Sequence, residues 1–167
     1  MDVISHGIIG RAIANSKTNG KDKGKIILFA ILPDLFQIPI YLFLGYINKR
    51  PLFIPLNTDW SGMREKYPNL MKLLDIPHSF LFLLTVISPV TIRLKFPRTV
   101  ILAYFSHIFI DIFTHTGEWS INPFYPIKRK VEGFTDAWAW NFRRYLFSWI
   151  ILTGLVVILD RLNKVWK

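Results

Sequence analysis

Hydrophobic residues form four long runs along this chain, and polar residues gather between the runs. The runs cover residues 26–47, 79–94, 99–113 and 145–159. Only the first reaches the roughly 20 residues that a simple transmembrane helix requires, and Pro33-Asp34 interrupts it. No segment alternates apolar and polar residues over the length of a strand, so the pattern predicts helices and gives little support to β-structure.

The polar intervals complete the predicted organisation. Apolar residues recur at helical spacing between residues 3 and 14, which predicts a short amphipathic N-terminal helix. Residues 49–77 predict a structured loop with one helix near 62–74, and residues 117–141 predict an interfacial loop with Trp138 and Trp140 at headgroup depth. We therefore predict an all-α fold in one domain, residues 1–167. It is a small membrane-embedded bundle of about four hydrophobic helices plus the N-terminal helix.

Composition and charge favour the membrane further. Only 19% of the residues are charged, compared with about 25% in ordinary soluble proteins. The formal net charge is +10, but the basic residues stand in short groups beside the apolar runs, as at 21–25 and 128–130. Such groups contact anionic headgroups, so we expect membrane lipid and no nucleic acid as a partner. The N-terminus lacks the features of a secretory signal, so we expect it to be mature. The oligomeric state stays open.

Ionisable residues inside the apolar runs carry the candidate chemistry. In SHIFIDIFTHTGEW, His107, Asp111 and His115 are four residues apart and share one face of a helix. An aspartate at mid-membrane costs about 2.5–3.5 kcal/mol unless a partner or a metal offsets the cost. Imidazole and carboxylate are ligands for Zn²⁺ and Mn²⁺, and the chain has no cysteine. His107 and Asp111 thus offer two ligands from adjacent turns.

The remaining apolar-context residues are His6, Asp34 and His78, which could complete one metal site or a bridged pair. Each also has an ordinary alternative. His6 and His78 could cap helices or lie satisfied in a core, and Asp34 could cap a helix that starts at Pro33. His115 could complement the helix macrodipole at a C-terminus. The coincidence of all four histidines with two acids in these runs favours the metal site.

Four segments, in order, resemble a known family: DVISHGIIG, AILPDLFQIP, IPHSFLF and SHIFIDIFTHTGEWSINPFYP. They resemble the membrane-bound, metal-dependent hydrolases of bacteria and archaea that include the inner-membrane YdjM-like proteins. The resemblance runs from residue 2 to about residue 126, and its SHxxxDxxTH core is the most specific part. At the third segment the family commonly shows His-Arg ahead of Thr-His-Ser, whereas only Pro77-His78-Ser79 stands here. The order of the ligands is more remotely similar to zinc-dependent phospholipase C.

The resemblance implies a helical, multi-pass protein of the inner membrane with a hydrolytic metal site. It maps the metal ligands onto His6, Asp34, His78, His107 and Asp111. We predict a divalent cofactor, Zn²⁺ with Mn²⁺ as the alternative, and hydrolysis of a lipid-linked or phosphoester substrate by metal-activated water. We predict that His115 and Glu118 transfer protons or orient ligands.

Two other functional classes stay open. A metal or proton transporter would use the intramembrane His and Asp side chains as an ion path. A structural membrane subunit would use them to hold helices together through hydrogen bonds. A shared metal site also sets a condition on the topology. Either the first apolar run re-enters the membrane at a break at Pro33, or fewer than four runs cross it.

Overall fold

The computed structural model describes residues 1–14 and 18–165, with side chains up to residue 162. The described residues form helices joined by turns and loops, and their one strand-like feature is an isolated antiparallel bridge between Ile121 and Val131. The predicted all-α class is therefore confirmed. The α-helices in chain order are α1 (Val3–Ile13), α2 (Gly20–Leu35), α3 (Ile38–Ile47), α4 (Met63–Lys66), α5 (Pro68–Asp75), α6 (Phe80–Phe82), α7 (Ser88–Arg93), α8 (Thr99–Thr114) and α9 (Phe142–Val165).

Short connecting turns separate several of these helices. A π-helical turn, Leu83–Ile87, joins α6 to α7, so that residues Phe80–Arg93 run as one helix. Single 3-10 turns lie at Pro51–Phe53, Asn57–Trp60, Gly117–Trp119 and Ala137–Ala139. The helix predicted near residues 62–74 corresponds to α4 and α5.

Side-chain caps explain where the first two helices begin. The Asp2 carboxylate accepts the backbone N–H of Ser5 at 3.0 Å, and the Asn19 side chain accepts that of Asp22 at 2.8 Å. Each cap satisfies an N–H that has no partner within its helix. Helix α2 continues through Pro33 to Leu35, so of the two alternatives for the topology the structure does not support a break at Pro33 itself. Pro33 lies in the last turn of α2, and the chain turns after it, before α3.

Helices α1, α2 and α8 pack against one another and enclose the larger of two apolar cores. Helices α1 and α2 approach closely at Gly10, where an added Cβ would lie 2.6 Å from the Cβ of Ala30. We call this the bundle core, and its buried residues are Ala14, Ile26, Phe29, Ala30, Leu83, Ile87, Val100, Ala103, Tyr104, Ile108 and Ile121.

A second apolar core lies under the loops on the far side of α3. We call this part the cap, and its buried residues are Ile40, Leu44, Trp60, Met63, Met71, Leu74 and Trp119. Within the cap, Trp60 lies against Trp119 with ring centroids 4.1 Å apart. The cap covers the face of α3 that carries Ile40 and Leu44, whereas Leu42 and Tyr46 on the rest of this helix are exposed.

Two segments are long and apolar enough to cross a membrane, Gly20–Ile47 and Phe142–Leu162. Helix α5 and the helix Phe80–Arg93 form a pair bent by 57°, which gives up to three such segments if the pair counts as one. The described residues thus provide fewer candidate spans than the four apolar runs. Helix α9 leaves most of its apolar surface open, with Phe147 66% exposed and Ile150 61% exposed.

Candidate metal centre

Four ionisable side chains from distant parts of the sequence meet where α2, α6 and α8 come together. They are Asp34 of α2, His78 just before α6, and His107 and Asp111 of α8. One potential ligand atom of each lies within 4.8 Å of those of the other three. We call these four residues the cluster. His78, His107 and Asp111 are buried, and the Asp34 side chain is 8% exposed.

The potential ligand atoms of the cluster lie close enough to one another to bind a single ion. The Nε2 atoms of His78 and His107 are 3.1 Å apart. His107 Nε2 lies 3.1 Å from Asp111 Oδ2 and 3.6 Å from Asp34 Oδ1. The four-residue spacing of His107 and Asp111 therefore places both on one face of α8, as the sequence predicts.

Backbone carbonyls orient both histidine rings of the cluster. His78 Nδ1 lies 2.8 Å from the carbonyl oxygen of Leu74, and His107 Nδ1 lies 2.7 Å from that of Ala30. Because a carbonyl oxygen only accepts, each Nδ1 carries the proton and donates it. In a neutral ring the Nε2 atom then bears a lone pair. Two such lone pairs face each other beside two carboxylates, and metal-binding histidines are held in this way.

Two carboxylate oxygens of the cluster lack hydrogen-bond donors, and this bears on whether a metal ion fits the site. Asp34 Oδ2 and Asp111 Oδ2 are buried and accept no hydrogen bond from the described residues. A buried acceptor without a partner costs about 1–3 kcal/mol, and a charged one costs more. A divalent cation would satisfy the carboxylates and both Nε2 atoms together. The set of two nitrogens and two carboxylates, without sulfur, suits Zn²⁺ or Mn²⁺.

His6 lies at the edge of the cluster. Its ring stacks on that of His107 with centroids 3.7 Å apart, and its Nε2 lies 3.0 Å from Asp111 Oδ1. Burial lowers the pKa of His6 to about 4, so its ring is neutral at pH 7. The structure therefore brings all five predicted ligand residues together, with His6 against the oxygen of Asp111 that does not face His107.

His115 follows the last turn of α8 and contacts the same side of Asp111. Its Nδ1 lies 3.4 Å from Asp111 Oδ1, and burial lowers its pKa to about 3. The Met1 ammonium group also contacts Asp111 Oδ1 and donates to Thr114 Oγ1 at 2.9 Å. A role of His115 in proton transfer or orientation stays a prediction.

A loop crossing the C-terminal end of α8 fixes the position of His115. The backbone N–H of Gly133 donates to the His115 carbonyl oxygen at 2.8 Å, and that of Phe134 donates to the carbonyl of Phe113 at 2.9 Å. A Cβ at position 133 would lie 2.7 Å from the His115 oxygen. Glycine at 133 is thus what allows this close approach.

Glu118 makes its described contacts with the cap. Its carboxylate accepts the backbone N–H of Gly62 at 3.4 Å, and its backbone oxygen accepts the Arg64 guanidinium at 3.1 Å. The same guanidinium donates twice to Asp75, at 2.9 and 3.1 Å. The predicted role of Glu118 in proton transfer therefore has no contact with the cluster to support it, and it stays a prediction.

Gln37 contacts the cluster, and the sequence reasoning missed it. It is buried, its Nε2 donates to Asp34 Oδ1 at 3.1 Å, and the same atom lies 3.4 Å from His78 Nε2. The available signal was an amide three residues after Asp34 within the apolar AILPDLFQIP. A neutral amide at that spacing is also what a helix start would carry, so the signal was ambiguous.

Comparisons with known proteins found no relative of this chain. No protein-family model matches the chain, and no curated protein and no solved structure matches it. The case for a metal centre therefore depends on the donor set, the burial and the ring orientations described above.

Proposed function

We propose that this chain is a membrane-bound, metal-dependent hydrolase that acts on a lipid-linked or phosphoester substrate. The observation that carries the proposal is the cluster, in which four acceptor groups converge, three of them on buried residues, and two carboxylate oxygens have no hydrogen-bond donor among the described residues. A structural role in holding helices together would instead pair each acceptor with a donor.

The surroundings of the cluster support a membrane location. Helix α9 exposes apolar side chains along most of its length, and lipid is the environment that covers such a surface. We propose a multi-pass protein of the inner membrane. The resemblance of the four motif segments to the YdjM-like hydrolases supports the same reading, and we propose membership of that family.

The chemistry divides between the cofactor and the protein. When bound, Zn²⁺ or Mn²⁺ supplies Lewis acidity and lowers the pKa of a coordinated water toward 7. His78 and His107 would hold the ion through Nε2, and Asp34 and Asp111 would hold it through their carboxylates. Leu74 and Ala30 keep the two rings oriented through their carbonyls. His115, beside Asp111, is the candidate for moving a proton.

Metal analysis of the protein purified in mild detergent tests the proposal. We expect about one Zn²⁺ or Mn²⁺ per wild-type chain, the stoichiometry of a single site with four protein donors. Asp111→Ala and His107→Ala should lose the metal. Asp22→Asn is the matched control, because Asp22 pairs with Lys25 at the start of α2, twelve residues before Asp34, and should leave the metal content unchanged.

Two activity measurements separate the alternative classes. Hydrolysis of bis(p-nitrophenyl) phosphate should require the metal and vanish in His107→Ala. A transporter would instead move the ion across reconstituted vesicles and form no product. A wild-type chain that stays folded and metal-free in the presence of added Zn²⁺ and Mn²⁺ would refute the proposal. A structural subunit would show that result together with loss of assembly in His107→Ala.

A further inference from the structure

A groove leads away from the cluster toward α9. It consists of two adjoining cavities of about 260 Å³ and 450 Å³. The smaller cavity touches Asp34 and Gln37 at its polar end. Val3, Tyr41 and Trp138 line both cavities, and α9 forms the far wall. We call this feature the groove.

The aromatic residues of the far wall present carbon atoms and few polar atoms. The Trp149 indole N–H donates to Asp2 Oδ1 at 3.1 Å, and the Tyr145 hydroxyl donates to the Ala137 carbonyl at 2.6 Å. Because these polar atoms are already bonded to protein, the rings offer an occupant their apolar surfaces. The wall at α9 therefore suits a hydrocarbon.

The end near the cluster has a different character. The Trp138 Nε1–H is buried and has no acceptor among the described residues. Trp138 stacks on Trp119 at 4.4 Å and meets the His115 ring edge-on at 6.3 Å. Asp34 and Gln37 also line this end, so its polar groups suit the phosphoester part of a substrate and not a hydrocarbon tail. The groove thus offers a polar end beside the cluster and an apolar end beside α9.

The location of the apolar end identifies the occupant. Helix α9 is one of the two segments able to cross a membrane, and its surface beyond the groove is open, as at Phe142 and Leu146. Val3 and Ile4 of α1 are 41% and 52% exposed at the same place. The groove is therefore continuous with the surface that lipid would cover, and a hydrocarbon chain can enter from the side.

We infer that the groove holds a hydrocarbon chain of a membrane phospholipid substrate, with the phosphoester beside Asp34 and Gln37 at the end next to the cluster. The inference rests on the proposed function and narrows its substrate to a lipid with an apolar tail. The tail would be recognised by Val3, Tyr41 and Trp149, and the hydrolysed bond would lie next to Asp34.

Photolabelling tests the inference directly. Wild-type protein is placed in nanodiscs of phosphatidylethanolamine and phosphatidylglycerol that contain a phosphatidylglycerol with a diazirine in its acyl chain. After illumination, mass spectrometry maps the labelled residues. We expect label concentrated on Val3, Tyr41, Trp138 and Trp149. Label spread evenly along the exposed face of α9, or cross-links to a second copy of the chain at the groove, would overturn the inference.

Filling the groove gives the matched comparison. Val3→Trp adds an indole to a partly exposed wall position, and Ile150→Trp adds the same group to an exposed α9 residue. We expect the labelling of the groove residues to fall at least about tenfold in Val3→Trp, which corresponds to a loss of roughly 1.4 kcal/mol in binding free energy. In Ile150→Trp we expect the labelling to stay at the wild-type level. Equal labelling of the groove residues in both variants would overturn the inference, given a Val3→Trp protein that is folded and contains its metal.

The outcome for the groove separates from the outcome for the metal centre. Val3→Trp should keep the wild-type metal content, because Val3 lines the groove and is not one of the four residues of the cluster. A groove that labels as expected in a chain that binds no metal would refute the proposed function alone. A loaded and active chain with no preferential labelling would refute the groove alone.

Discussion

A single methyl group added at Gly10 should disturb the candidate metal centre from a distance. Gly10 faces α2, and an added Cβ would lie 2.6 Å from Ala30 Cβ and 3.1 Å from Ile27 Cα. Neither atom can rotate away, since one is a single-carbon side chain and the other is backbone. The substitution Gly10→Ala must therefore move α1 away from α2.

The size of the effect follows from these distances. Non-bonded carbons rest at about 3.5–4.0 Å, so the helices must separate by about 1 Å. Overpacking of this kind costs about 1–3 kcal/mol, and the better helix propensity of alanine returns about 1 kcal/mol. His6 lies one turn from Gly10 on α1, 3.0 Å from Asp111. The same shift should therefore weaken metal binding.

Gly7→Ala is the matched control, because its Cβ would meet Ile31 Cγ2 at an ordinary 3.7 Å. It gains the same helix propensity without the clash. We expect Gly10→Ala to be less stable than Gly7→Ala by about 1–3 kcal/mol, which corresponds to a melting temperature lower by roughly 2–12 °C. Circular dichroism in mild detergent measures the melting, and metal analysis measures the site. Gly10→Ala melting at or above Gly7→Ala would refute the reasoning.

Two further predictions concern contacts away from the groove. Tyr104→Phe removes a buried hydroxyl that donates to the Pro77 carbonyl at 2.7 Å, and should destabilise by about 0.5–1.5 kcal/mol; an unchanged melting temperature would contradict this. The Arg50 side chain donates to Asp59 and lowers the pKa of that carboxyl below its model-peptide 3.8. The stabilisation is therefore complete above pH 3.8 and is lost as the pH falls further. Thermal melts at several pH values should show Asp59→Asn less stable than wild type at pH 7 and equal to it at the acid end; a gap independent of pH would count against it.

The candidate site could be predicted because its residues are ionisable and their neighbours in the sequence are apolar. His78, His107 and Asp111 stand in apolar runs where an ionisable side chain needs a partner, and their convergence follows from that need. The sequence could not predict which of the polar residues form the cluster and which contact it from the side. His6 contacts Asp111 from outside the cluster, and Gln37 contacts Asp34 from inside an apolar run, and both positions depend on how α1 and α2 pack.

Helices were predictable from the spacing of apolar residues, but the number of membrane crossings was not. Residues 38–47 are as apolar as a transmembrane segment, yet Ile40 and Leu44 pack against the cap. The run 79–94 is turned by 57° from α5. Hydropathy reports that a segment avoids water and cannot distinguish lipid from a protein core. Pro33 shows a similar limit for helix breakers. A proline at this position removes the hydrogen bond to the carbonyl of Phe29, yet α2 continues for two further residues to Leu35.

The contact between His6 and Asp111 joins residues 105 positions apart in sequence, and this separation has a consequence for how the protein is made. A ribosome adds about 5–20 residues per second, so His6 emerges roughly 5–20 s before Asp111. During that interval α1 and α2 can already pair, since both have been synthesised. A cation held by all four side chains of the cluster would be acquired only after Asp111 has been synthesised, and therefore after α1 and α2 can pair.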